Sequence, residues 1–211
     1  MFPGTRRSGT SSPVPICPVA KAEATQVEND PAQAVIAAQL GRPLRAISKP
    51  LVRCHLGLPV VIEVPPVLDD GTPFPTHYWL SCPLAVRRVA RIESRGDIGR
   101  IEDRAVDDPE FGQRLTAAHE RYRTERDALI GQDAIHRPSG GVAGASFGVK
   151  CLHAHYADHA AGAASEDPWD NPVGELVATE IEPLDCTVPC VIGAERNPNW
   201  VEPKTEAGGP Q

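Results

Sequence analysis

Long apolar runs and aromatic residues are both scarce in this sequence of 211 residues. No apolar run approaches the roughly 18 residues that a membrane-spanning helix requires, so we predict no membrane span. Aromatic residues make up 5% of the chain, so aliphatic side chains must fill most of the hydrophobic core. Polar residues, not an apolar stretch, follow the Arg6-Arg7 pair, which argues against an export signal. We therefore predict a cytoplasmic protein.

Positive charge is also in short supply. Lys and Arg number 21 against 28 Asp and Glu, which gives a formal net charge of −7. This acidic balance makes nucleic acid an improbable partner, because nonspecific binding to its phosphates needs a positive surface. The phosphate-loop, dinucleotide-binding, zinc-protease and serine-hydrolase motifs are absent from the sequence. A protein partner and a small site built from reactive side chains both stay open.

Proline and glycine, by contrast, are plentiful, with 22 and 18 residues, and they argue for long irregular stretches. Residues 1–31 and 193–211 are polar and lack periodicity, so we predict two disordered tails. Residues 32–192 are predicted to form one α+β domain, in which a small antiparallel strand pair (60–64 and 77–81) precedes several helices.

Capping residues and apolar periodicity predict the helices. Asp30 and Pro31 mark the start of a first helix that ends at residue 40. A second begins at Cys82-Pro83, and Pro109 opens a long amphipathic one. Later helices are predicted over 147–162 and 175–182, separated by a break at 170–174 and preceded by a glycine-rich loop. They are the last two helices of the predicted domain.

The six cysteines are Cys17, Cys54, Cys82, Cys151, Cys186 and Cys190. In a protein that is not exported, metal ligation, catalysis or burial is expected before disulfide formation. Cys82 begins a helix, where backbone N–H groups and the helix dipole lower a thiol pKa. The alternative is a small hydrophobe at a strand-to-helix junction. Cys186 and Cys190 are weaker candidates because their spacing is looser than that of zinc ribbons, and Cys17 falls in a predicted tail.

Residues 150–159, which read Lys-Cys-Leu-His-Ala-His-Tyr-Ala-Asp-His, hold the densest group of reactive side chains. If they are helical, one face carries Cys151, His155, Asp158 and His159, while His153 points to the other side. Zinc accepts such sulfur, nitrogen and oxygen donors. The alternative is a buried cysteine beside histidines that are simply hydrogen-bonded or exposed.

Several stretches occur together in one order along the chain. They are Gln-Leu-Gly-Arg-Pro at 39–43, Arg-Cys at 53–54 with Gly-Leu-Pro at 57–59, Gly-Thr-Pro-Phe-Pro-Thr at 71–76, Tyr-Trp-Leu-Ser-Cys-Pro at 78–83, Arg-Ile-Glu at 91–93, Ala-His-Glu at 118–120, Gly-Gly at 140–141, Gly-Val-Lys-Cys-Leu-His-Ala-His-Tyr-Ala at 148–157 and Asn-Pro-Val-Gly at 171–174. In these the sequence resembles domain-of-unknown-function family 501, a family common in actinobacteria.

The resemblance implies a small cytosolic bacterial protein without an established activity. Genes of the family often neighbour those of a septum-formation initiator and an exopolyphosphatase-like phosphatase, which associates it with cell division or phosphate metabolism. Its matching stretches contain Cys54, Cys82, Cys151 and His153. They point away from Cys17, Cys186 and Cys190, and they favour His153, which helical geometry alone does not.

The leading hypothesis is a metal site with Cys54, Cys82 and Cys151 as thiolate ligands and His153 or His155 as the fourth. Zinc is the expected ion, and an iron–sulfur cluster held by the three cysteines is the alternative. A second hypothesis is a metal-free thiol enzyme in which His153 or His155 activates Cys82 or Cys151. A third is a non-enzymatic interaction protein, so whether the protein is an enzyme stays open.

Overall fold

The computed structural model describes residues 30–203, so most of the predicted tail at 1–31 and the last part of the predicted tail at 193–211 lie outside this range. The fold is α+β, as predicted. Its elements in chain order are α1 (Pro31–Leu40), β1 (Lys49–Arg53), β2 (Pro59–Glu63), β3 (Tyr78–Leu80), α2 (Pro83–Ser94), α3 (Asp97–Asp107), α4 (Pro109–Ala128), a 3-10 turn (Val142–Gly144), α5 (Leu152–Ala163), α6 (Pro172–Ile181), β4 (Val191–Ile192) and β5 (Glu195–Arg196).

The predicted antiparallel strand pair is present as β2 and β3, with Val61 opposite Leu80 and Glu63 opposite Tyr78. A third strand, β1, pairs antiparallel with the other side of β2, so the sheet order is β1-β2-β3. β2 is the central strand and four of its five residues are buried. Its continuous apolar run is what a strand covered on both faces requires.

The main core lies between this sheet and the helices α2, α4, α5 and α6. Aliphatic side chains dominate it, as the low aromatic content predicts. Those with no exposed surface include Val61, Leu84, Val89, Leu152 and Val173. A smaller apolar cluster packs α1 against the sheet. Within residues 30–203 no helix is both long and apolar enough to cross a membrane.

The helix predicted over 147–162 begins later, at Leu152. Gly148 has a φ of +70°, and Cys151 is extended with φ −156° and ψ 116°, so the chain enters α5 without helical geometry. Two carboxylates of the preceding helices accept hydrogen bonds from backbone N–H groups there. Glu102 accepts from Val149, and Glu93 accepts from Leu152. The last helix begins earlier than predicted, because Asn171 caps it by accepting the Gly174 N–H.

The packed structure continues past the predicted domain end at residue 192. β4 and β5 form a short hairpin, and the Arg196 guanidinium donates to the carbonyls of Ala38 and Gln39 at the end of α1. Glu202 forms a two-bond ion pair with Arg91 of α2. These contacts are polar and long-range, so local periodicity carries no sign of them.

Tyr122 of α4 connects the helices to the sheet. Its buried hydroxyl accepts the backbone N–H groups of His77 and Tyr78 at 2.6 and 3.2 Å, where β3 begins. Tyr122→Phe leaves both donors buried without a partner. We expect it to lower the free energy of unfolding by about 2 kcal/mol in urea denaturation.

Tyr156→Phe is the matched control for Tyr122→Phe. The Tyr156 hydroxyl donates only to Glu182, an exposed residue whose carboxylate can turn to water instead. Its loss of stability is expected to be clearly smaller. Equal losses in the two variants would contradict the role given to the Tyr122 hydroxyl.

The neutral imidazole of His119, in α4, holds the glycine-rich loop in place through two hydrogen bonds. Its Nδ1 accepts the Val142 N–H at 3.1 Å while its Nε2 donates to the Gly148 carbonyl at 3.0 Å. Burial lowers the pKa of His119 below its usual value, although the Gly148 carbonyl and the Asp158 charge oppose this. A proton on Nδ1 would face the Val142 N–H, so acid removes this contact.

Because the folded state holds His119 neutral, its contribution to stability is present above the unfolded-state pKa of about 6.5 and is lost as the pH falls below it. We expect His119→Gln to make the free energy of unfolding less steep between pH 6.5 and 5, by up to about 1.4 kcal/mol per pH unit. Denaturation at several pH values measures this. His136→Gln, at an exposed loop position, is the control, and parallel curves for wild type and His119→Gln would refute the effect.

Candidate functional site

Glu93, Cys151 and His153 bring an oxygen, a sulfur and a nitrogen together, all within 4.8 Å of one another. In residues 30–203 no other group of three or more His, Cys, Asp or Glu side chains meets this closely. Glu93 comes from the last turn of α2, Cys151 from the extended entry to α5, and His153 from the first turn of α5. All three side chains are half-buried.

Both nitrogens of His153 have defined partners. Nε2 lies 3.1 Å from the Val86 carbonyl, to which it must donate, and Nδ1 lies 3.2 Å from Oε1 of Glu93. The same Oε1 accepts the Leu152 N–H at 2.7 Å, so Glu93 caps α5 as well as facing the histidine. The backbone of two helices therefore fixes the orientation of the ring and of the carboxylate.

The surroundings of His153 favour its charged form. Burial lowers its pKa, but the hydrogen bond to Cys151 and the negative charge of Glu93 outweigh burial and raise the pKa to about 9. In the metal-free protein the ring is therefore an imidazolium at neutral pH, placed between a thiol and a carboxylate.

A cavity of about 530 Å³ lies beside Cys151 and His153 and opens to solvent. Its walls are largely apolar and include Trp79, Leu80 and Val86. Two cationic side chains, Arg42 and Lys150, also line it, and the Arg42 guanidinium lies 5.7 Å from the centre of the Trp79 ring. The site can therefore be reached by a small molecule.

His155 does not join Cys151, although a helix over 147–162 would have put them on one face. Because Cys151 precedes the helix, that shared stripe does not form. His155 is fully buried on the side of α6, where its Nδ1 lies 3.1 Å from Oδ1 of Asn171. Burial lowers the pKa of His155 to about 3, so the ring is neutral.

Asp158, the carboxylate predicted for the same stripe, is also buried and engaged in the fold. It accepts a hydrogen bond from Arg121 at 2.6 Å and from Asn171 at 2.7 Å. Burial raises its pKa, and the charge of Arg121 acts against this. With two donors directed at its Oδ2 atom, the group acts as an acceptor in a structural network that links α4, α5 and α6.

Cys54 and Cys82 lie near Cys186 and Cys190, whose loose spacing makes them weaker metal-ligand candidates in the sequence. The expected low pKa of Cys82 is wrong: burial raises it to about 11, although N–H groups of Ala85 and Leu84 lower it, and the charges of Cys190 and Cys186 raise it further. Burial also raises the pKa of Cys190, against a hydrogen bond from Gln39 and together with the charges of Cys186 and Cys54.

Glu93 is the site residue that sequence reasoning missed. It stands in the Arg-Ile-Glu stretch at 91–93, yet nothing in its local pattern distinguishes it from the other acidic residues of exposed helix faces. The Cys-x-x-x-Cys pair at 186 and 190 was visible, but its neighbours come from distant parts of the chain.

Neither the curated proteins nor the solved structures contain a match to this chain. One family model does match, over residues 51–179, and it is described as a protein of unknown function, DUF501. The matched range includes Glu93, Cys151 and His153 as well as Cys54 and Cys82, whereas Cys186 and Cys190 lie beyond it. Because the match covers more than half of the sequence, the chain belongs to the DUF501 family.

Proposed function

We propose that this protein binds a zinc ion through Glu93, Cys151 and His153. The observation that carries the proposal is the meeting of their oxygen, sulfur and nitrogen atoms within 4.8 Å. Zinc takes this mixture of donors, and three protein ligands leave a fourth position for water or substrate. Cys54 and Cys82 do not belong to this close group of three donors, so the proposed ligand set does not include them.

The contacts around the three side chains support metal binding. A histidine that ligates a metal usually donates its other ring N–H to a carbonyl or carboxylate, and His153 Nε2 faces the Val86 carbonyl in this way. Nδ1 is then the ligand atom. Glu93 is held by the Leu152 N–H, so both ligands are oriented before an ion arrives. Binding would displace the protons of the Cys151 thiol and the His153 ring.

The adjoining cavity supports an enzymatic role for this zinc site. A zinc ion lowers the pKa of a water molecule bound at its open position, and such a water would supply a nucleophile at neutral pH. The 530 Å³ cavity at Cys151 and His153 gives a substrate access to that position. We therefore propose hydrolytic chemistry, in a cytoplasmic protein whose five described cysteines are all free, as suits a reducing compartment.

A metal-free thiol enzyme is the second candidate, and the same three residues support it. The order Cys151, His153, Glu93 is that of a nucleophile, a base and the group that orients the base. In this alternative the His153 imidazolium would stabilise a Cys151 thiolate. Cys82 is a poorer nucleophile than Cys151, because burial holds its pKa near 11.

Metal content tests the zinc proposal directly. Protein purified under reducing conditions with zinc is analysed by mass spectrometry of metals. Cys151→Ser and His153→Ala should each lose one equivalent of zinc relative to wild type, because three ligands cannot spare one. His159→Ala is the control, a change on the same helix outside the group, and it should retain all of the metal. Full zinc retention in both ligand variants would disprove the site.

Alkylation separates the thiol candidate from the zinc candidate. In zinc-loaded protein, Cys151 should react with iodoacetamide at least tenfold more slowly than after chelation, because the metal occupies its lone pairs. If the protein instead binds no metal at this site and Cys151 reacts fast, with a rate that falls in His153→Ala, the thiol enzyme is the correct description.

A further inference from the structure

We propose a second zinc site, formed only by sulfur, in which Cys54, Cys82, Cys186 and Cys190 fasten the C-terminal segment to the sheet. It does not depend on the Glu93–Cys151–His153 site, with which it shares no residue. Its role would be structural, because four thiolates complete the tetrahedral shell of zinc and leave no position for a substrate.

Three of the four cysteines are linked by hydrogen bonds to three consecutive carbonyls at the start of β2, two of them directly and Cys190 through Gln39. The Cys54 N–H donates to the Leu58 carbonyl at 2.9 Å, and the Cys82 N–H to the Val60 carbonyl at 3.4 Å. Between them, the Gln39 amide reaches both the Pro59 carbonyl at 2.9 Å and the Cys190 sulfur at 3.6 Å. The turn after β1, the start of α2 and the start of β4 thus meet at one place.

Cys186 joins the group through residues on both sides. Its carbonyl accepts from Nε2 of His55, the residue next to Cys54, at 2.9 Å. Its sulfur accepts from the indole N–H of Trp200 at 3.5 Å. Cys82 lies within electrostatic reach of Cys186 and Cys190, and Cys190 within that of Cys54. The four cysteines therefore come from chain segments that meet beside the start of β2.

The sulfur atoms also have the surroundings that thiolate ligands need. The Gln39 amide points to the sulfur of Cys190, and the Trp200 indole N–H points to that of Cys186. Donors of this kind orient and stabilise metal-bound sulfur. Without a cation, ionising several neighbouring thiols is opposed by their mutual repulsion, and a divalent ion removes that penalty as the thiol protons pass to solvent.

The four sulfurs are grouped less tightly than the donor atoms at Glu93, Cys151 and His153, so an ion would draw them together by rotation of their side chains. Cys54 and Cys186 are half-buried, whereas Cys82 and Cys190 are buried. The benefit to the fold is clear from the C-terminal segment. Between Pro183 and Glu202, Leu184 and Trp200 pack against the main core and Arg196 and Glu202 add polar contacts, but the only regular structure in this stretch is two strands of two residues each.

Zinc stoichiometry in the full-length chain tests the proposal and separates it from the first site. Wild type should carry two equivalents, Cys186→Ser/Cys190→Ser one, Cys151→Ser one, and the three changes together none. Cys17→Ser, at a cysteine outside the described residues, is the matched control and should carry two. Undiminished zinc in Cys186→Ser/Cys190→Ser overturns the second site alone. So does a disulfide among the four cysteines that persists in wild-type protein purified under reducing conditions.

A measurement on wild type covers the case in which the variants fail to fold. The zinc-loaded chain is alkylated with iodoacetamide before and after chelation, and each cysteine is quantified by peptide mass spectrometry. Cys54 and Cys186, which are half-buried, should be labelled at least tenfold faster after chelation, and trypsin should then cut after Arg196 more readily. Equal labelling of these two cysteines before and after chelation overturns the proposal, as does a brown iron–sulfur chromophore that is lost with Cys186→Ser.

Discussion

The contact of the Glu93 carboxylate with the Leu152 N–H governs how α5 begins, and the arrangement of the candidate site follows from it. The first N–H groups of a helix lack partners within the helix, and a negative charge at that end is favourable. Glu93 supplies both the acceptor and the charge from the end of α2, at 2.7 Å. The helix therefore starts at Leu152, and Cys151 stays extended before it.

This late start explains which side chains meet. Two residues that are two positions apart lie on opposite sides of a helix, whereas they share one side of an extended chain. Cys151 and His153 can therefore face Glu93 together only because the chain between them leaves extended geometry for helical geometry at this point. His155, one helical turn after Cys151, is turned instead into the buried network with Asn171.

The reactive side chains fall into two groups, those that hold the fold together and those whose donor atoms are available to an ion. Asp158, Asn171 and His119 have partners in the fold for most of their polar atoms, so they hold helices and the glycine-rich loop in place. Cys151 and His153 border a cavity, and Cys54 and Cys186 are half-buried, so their donor atoms stay available to an ion. A dense run such as 150–159 therefore does not act as one motif.

The sequence by itself determined the α+β class, the β2 and β3 pair, the cap of α1, the long helix at Pro109 and the family, because these depend on apolar periodicity, capping residues and short motifs. It also identified Cys151 and His153 as residues of interest. Only the tertiary structure decided that Glu93 joins them and that Cys54 and Cys82 lie with Cys186 and Cys190. The reason is that these contacts join residues far apart in the chain, since Cys54 is 28 residues from Cys82 and 136 residues from Cys190. Each contact depends on where a helix starts or on where the C-terminal segment packs. Local patterns hold no record of either.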